Sequence, residues 1–114
     1  MERRVVRARA WGVVTYAEAM ATRRKFADDP RFTSDFHQIY DGRDVTRIML
    51  TTGEICVLAE ETMFGPKSRR AFVAPRRDTY DLARTYKTYR ELNSGKEQMR
   101  VFRTMEDAEA WLVE

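Results

Sequence analysis

The chain alternates between two rhythms of apolar and polar positions, a short extended one and a longer helical one, and it does so four times. Apolar segments at 5–14, 36–41, 70–74 and 100–103 precede helix starts, each marked by a capping residue and an acidic residue three positions on: Thr15 with Glu18, Thr51 with Glu54, Asp78 with Asp81, and Thr104 with Asp107. The cap accepts a hydrogen bond from an orphaned backbone N–H in the first turn, and the acidic side chain returns one while lying near the positive end of the helix dipole. Four strand-helix units are expected.

The extended segments differ in character. Ala71, Phe72, Val73 and Ala74 run without a polar break, as in a central parallel strand covered on both sides. In the first segment Arg7 and Arg9 alternate with Ala8 and Ala10, the pattern of a strand near an exposed edge, and Gly12 marks a bulge or bend. The fourth is short and is expected at the other edge. Stripes at helical spacing follow: Ala17, Met20 and Ala21; Ile55, Leu58 and Ala59; Leu82, Ala83 and Tyr86; and Met105, Ala108, Trp111 and Leu112, where Trp111 is expected to dock the last helix. Strands alternating with helices imply parallel neighbours joined by right-handed crossovers. Pro30 and Gly95 punctuate loops at 28–31 and 93–96, which separate units and not domains, so residues 1–114 read as a single domain.

Composition narrows the classes. With 114 residues, 43% hydrophobic and 34% charged, the chain can bury one modest core and lacks the signature of disorder. Its apolar runs fall far short of the roughly 20 residues of a bilayer-spanning helix, and the segment from Met1 to Arg7 leads into no apolar stretch of signal-peptide length. A cytoplasmic protein is expected. One cysteine, Cys56, and one histidine, His37, exclude an intramolecular disulfide and a Cys/His zinc site. Twenty-one basic against eighteen acidic residues give a net charge of +3, a mild excess that permits an acidic partner without marking a nucleic-acid domain. The basic clusters Arg23, Arg24, Lys25 and Lys67, Arg69, Arg70 lack the interleaved aromatics of single-strand binders, so nucleic acid is not expected.

Three stretches carry a family resemblance: Gly12, Val13, Val14 and Thr15 entering the first helix; Asp41, Gly42, Arg43, Asp44, Val45 and Thr46; and Val101, Phe102 and Arg103 through Ala108, Trp111 and Leu112. Together they resemble the SpoIIAA-like group of STAS-related domains over nearly the whole chain. The resemblance implies a βα superhelix of the α/β class, a mixed but mostly parallel sheet of four to five strands flanked by four helices. In the anti-sigma-factor antagonists of that group a serine accepts a kinase's phosphate. Leu50, Thr51, Thr52 and Gly53 occupy the similar stretch, with Leu50 where the group has an aspartate, which makes Thr51 and Thr52 candidate phosphoacceptors. A phosphate is favoured at a helix N-terminus, while capping by itself also accounts for Thr51 with Glu54.

Ligands of open α/β sheets usually meet the carboxyl ends of the strands. The loops expected there contribute Asp41, Arg43, Arg76, Arg77 and Arg103, beside Asp78 and Thr104. Arg43, Arg76, Arg77 and Arg103 are therefore candidate anion-binding residues, each a planar fork suited to phosphate or carboxylate, with solvated loop charge as the competing account. Tyr80, Tyr86 and Tyr89 read as packing or as a pocket wall. His37 has no evident partner as a general base, and Cys56 sits among Ile55, Val57 and Leu58 as a small buried thiol. With no P-loop, dinucleotide fingerprint or zincin sequence, no catalytic residue, metal ligand or cofactor is expected. An enzyme would need Asp41, His37 or a tyrosine brought against an arginine. The expected function is a non-enzymatic regulatory or protein-interaction module of the bacterial cytoplasm, its protein partner implied by the resemblance. The alternative is a carrier or sensor of a small anionic or amphipathic ligand, lipid included, at the strand C-terminal edge.

Overall fold

A computed structural model describes residues 4–93 and 96–114. Met1 to Arg3, and Ser94 and Gly95 of the second expected loop, lie outside the described residues. Four strand-helix units follow in order: β1 (Val5–Thr15), α1 (Tyr16–Ala27), β2 (His37–Met49), α2 (Thr52–Glu60), β3 (Arg69–Val73), α3 (Arg77–Leu92), β4 (Gln98–Phe102) and α4 (Met105–Leu112). The strands form one sheet in the order β1-β2-β3-β4, parallel at every pairing. The α/β class and the two expected edges hold; the antiparallel strand of a mixed sheet does not occur among the described residues.

Local chemistry starts three of the helices as expected. Thr51 Oγ1 accepts the Glu54 N–H at 3.1 Å while the Glu54 carboxylate accepts the Thr51 N–H at 2.9 Å, a complete capping box. Thr15 and Thr104 accept from the N–H groups of Glu18 and Asp107. The third helix departs from expectation. Asp78 is not its cap: the helix begins at Arg77 with Arg76 at the N-cap, and Thr79 Oγ1 donates to the Arg76 carbonyl at 3.0 Å, closing the first turn two residues early.

Register assigns every inward side chain to one of two faces, because successive strand residues point oppositely. Val6, Gln38, Arg70 and Met99 form one aligned row, and Ala8, Tyr40, Phe72 and Val101 the next, on the same face. The opposite face carries Ile39, Ala71 and Val73, which pack with Ala108 and Trp111 of α4, flanked by Val5, Phe102, Met105 and Leu112. Trp111 docks the last helix as its spacing predicts. The first face is roofed by α1, α2 and α3.

Two glycines shape the far end of β1 and β2, where both strands outrun β3. Gly12 sits at φ +64, in the left-handed region, beside a register shift between Gly12 and Val13. A Cβ on Gly42 would lie 2.8 Å from the Val73 carbonyl oxygen, so only glycine lets β2 pass the end of β3 so closely. Because β2 keeps pairing with β1 to Met49, it is eight residues longer than the expected 36–41 segment at its carboxyl end, and Arg43 lies within a strand and not in a loop. The stripe expected on α1 also fails: Ala17 and Ala21 are exposed, and no residue of that helix is fully buried. Its inward face is instead Ala19, Thr22, Arg23 and Phe26, which cover an open space and not a packed core.

Candidate functional site

The expected anion-binding arginines are already engaged or stand apart. Arg43 forms a two-bond fork on Asp41, at 2.9 and 2.8 Å, and that fork, opposed by burial, holds the Asp41 carboxyl below its ordinary value. Arg76 Nε bonds Asp78. Arg103 stacks over the ring of Tyr80, 4.3 Å from its centroid. Arg77 is exposed at the start of α3. No hydrogen bond or ion pair among the described residues joins these four to one another. Thr51 serves as the α2 cap, and Thr52 is exposed in the first turn.

Another candidate lies between the sheet and the helices over its first face. A cavity of about 170 Å³ opens there, floored by Gln38, Tyr40, Arg70 and Phe72 and roofed by side chains of α1, α2 and α3, among them Phe26, Leu58 and Tyr86. Its wall is mostly apolar, and among the described residues no acidic one lines it, whereas two arginines do, Arg23 and Arg70. Arg23 donates to the Leu58 carbonyl, tying α1 to the end of α2.

Arg70 is only 6% exposed, although it closes a run of basic residues that reads as solvated charge. Alternation is what buries it: with Ala71 and Val73 on the α4 face, Arg70 and Phe72 must point to the other. Its guanidinium sits 4.6 Å from the Phe64 ring centroid and 5.4 Å from those of Phe72 and Tyr86. Nε donates to Gln38 Oε1 at 2.9 Å, and Nη1 donates to the Tyr86 hydroxyl and to Glu97, both at 3.2 Å. Glu97 accepts a second guanidinium, that of Arg90, at 3.0 and 3.3 Å, and Arg90 also donates to the Ala59 carbonyl at 2.6 Å. Burial would push the Glu97 carboxyl up; the Arg90 hydrogen bond, its own backbone N–H and the charges of Arg70 and Arg90 outweigh it, leaving the group below its ordinary value and ionised.

The cluster is thus two buried cations on one buried anion. Arg70 Nη2 and Gln38 Nε2 have no partner among the described residues. No fully buried side-chain nitrogen or oxygen there lacks one, so both atoms reach accessible space, and the space these residues border is the cavity. Burial, with the charge of Glu18, pushes the phenol of Tyr40, another lining residue, up, so its hydroxyl stays protonated.

Of the three tyrosines singled out by spacing, Tyr86 lines this wall; Tyr80 lies under Arg103. His37 is a structural acceptor, its Nδ1 taking the Arg69 N–H at 2.9 Å. Among the described residues no three His, Cys, Asp or Glu side chains gather as metal ligands, and no helix is long and apolar enough to cross a membrane. Scans against models of protein families, against curated proteins and against solved structures each returned no match.

Proposed function

We propose that this domain binds a small amphipathic molecule in the cavity between the sheet and α1, α2 and α3. The observation that carries the reading is an apolar chamber with a buried arginine in its floor and, among the described residues, no partner for one nitrogen of its guanidinium. Ligand sites are commonly apolar concavities with a few convergent polar groups. The loose seating of α1, which buries none of its residues, supports entry beneath that helix. This is the carrier or sensor alternative, with its ligand moved from the strand ends to the space under the helices.

Thermal unfolding against a panel of toluene, indole, benzoate and octanoate tests it. A molecule that binds only the folded state at a hundred times its Kd stabilises by about 2.7 kcal/mol, a shift on the order of 10 °C for a domain of this size. Ala83→Leu, which fills the roof, should abolish the shift. No saturable shift with any of the four rejects the reading.

One observation favours a second reading, a regulatory module meeting a protein partner in the bacterial cytoplasm. Trp11 is 66% exposed on the edge strand β1, with Val13 exposed on the same strand and Met49 at the end of β2. An unpaired edge bearing exposed apolar side chains suits strand addition by a partner. The SpoIIAA-like kinship, its superhelix included, remains a proposal resting on the sequence segments quoted above.

A further inference from the structure

We infer that the molecule held in the cavity is a small monocarboxylate, with a body of about six to eight carbons, whose carboxylate takes Arg70 Nη2 and Gln38 Nε2. The inference rests on the cavity being a ligand site, as proposed above, and adds the chemistry of the occupant. Three observations carry it.

The first is charge. Arg70 and Arg90 share the single carboxylate of Glu97, with side-chain exposures of 7%, 5% and 1%, so one buried positive charge has no counterion in the cluster. A second arginine, Arg23, also lines the cavity, and among the described residues no acidic one does. An uncompensated buried cation is costly, and an anion entering beside it is correspondingly favoured.

The second is the donor set. Two N–H-bearing atoms on neighbouring strands, in register at Gln38 and Arg70, are without partners among the described residues, are not fully buried, and belong to residues that line the same cavity. A carboxylate, with two oxygens and one charge, matches two donors and one spare positive charge. A phosphate dianion would ask for more of both.

Size is the third. A cavity of about 170 Å³ is comparable to an engineered apolar one of about 150 Å³ that takes benzene, and the aromatic rings of Phe64, Phe72 and Tyr86 around the guanidinium favour a flat or short aliphatic body.

Titration calorimetry with benzoate and its neutral isostere benzamide, on the full chain, separates the possibilities. Benzoate should bind at least tenfold more tightly than benzamide. Arg70→Met should remove that preference, and because this variant loses a buried hydrogen-bonding group and can fail to fold, Gln38→Glu provides the second arm. There the new carboxylate stays against Arg70 and repels the ligand's, so benzoate should weaken at least tenfold more than benzamide does. Equal binding of benzoate and benzamide to the native protein would leave the cavity reading standing and overturn the carboxylate. Binding of neither, with hexanoate also silent, would overturn the carboxylate, and the cavity reading with it where toluene, indole and octanoate give no shift either. Preference for benzoate that survives intact in folded Gln38→Glu would place the charge recognition away from Arg70 and reject the inference.

Discussion

The two faces of the sheet are built from the same strands, one residue out of phase, and they are finished differently. On the α4 face, Ile39, Ala71 and Val73 meet Ala108 and Trp111, and one short helix closes the layer. On the other face three helices cover Gln38, Tyr40, Arg70 and Phe72, yet leave a cavity and a three-residue charge cluster behind it. Helix count therefore does not decide how well a face is filled. Side-chain choice does: small and aliphatic residues under a tryptophan allow close approach, while an arginine caged by aromatics holds its helices off. A local conflict between burial and charge is expected where a protein does something besides fold.

The sharpest way to break this contrast is to remove one central group from each face. Trp111→Ala should cost about 3–5 kcal/mol through lost burial and the hole left behind. Glu97→Ala should cost a similar 3–5 kcal/mol, but for an electrostatic reason, since it leaves two buried guanidinium groups without their carboxylate. Conservative variants separate the causes in urea denaturation. Trp111→Phe should recover much of the loss because volume and apolarity are largely kept, whereas Glu97→Gln should recover little because the charge is still missing. Similar recovery by both would mean that the cluster behaves as ordinary packing.

A single kind of substitution should next give opposite signs. Ala71 is fully buried against α4, so Ala71→Leu overpacks the layer and should destabilise by about 1–3 kcal/mol. Ala83 borders the cavity, so Ala83→Leu has room to fill and should stabilise by about 0.5–1 kcal/mol. Loss of stability in both variants would show the roof already as tight as the α4 layer.

The contrast between the faces also divides what was legible in the sequence from what was not. Elements set by local rules were: the strand-helix order, the capping box of Thr51 with Glu54, the bulge at Gly12, the central position of the Ala71 to Ala74 segment and the Trp111 stripe all follow from spacing and capping chemistry. The charge cluster was not. Arg70 sits beside Arg69 in a basic run, and only its phase relative to Ala71 and Val73 hints that it points inward. Its partner Glu97 is 27 residues away and meets Arg90 across 7, pairings fixed by how α3 returns to β4 and not by any motif. The loop position expected of Arg43 and the cap expected at Asp78 failed for a related reason. Continued pairing with β1 extends β2 past the expected loop, and Thr79 closes the α3 turn early, both consequences of neighbours the sequence does not name.

The smallest expected effect separates the faces by pH. His37 shares the parity of Ile39 on β2, on the α4 side, and its Nδ1 accepts the Arg69 N–H. Burial, joined by the charge of Arg69 and opposed by that of Asp35, lowers its pKa from the ordinary 6.5. Below about pH 6.5 the unfolded chain takes up a proton that the folded one still refuses, so stability is full above that pH and falls as pH drops toward the lower folded value. Glu97, on the other face, is also lowered, from 4.5, so its contribution is present above that pH and is lost only as pH falls through its folded value. Urea unfolding followed from pH 7.5 to about pH 3 should therefore show a shallow decline owed to His37 down to about pH 5, with a steeper one beginning below about pH 4.5 as Glu97 and the other lowered carboxyls, Asp29, Asp35, Asp41 and Asp78, protonate. His37→Asn keeps an acceptor where Nδ1 stands and does not titrate, so it should flatten the upper decline and leave the lower one in place. A decline between pH 7.5 and 5 that persists in His37→Asn would mean that a group other than the sole histidine answers in that window.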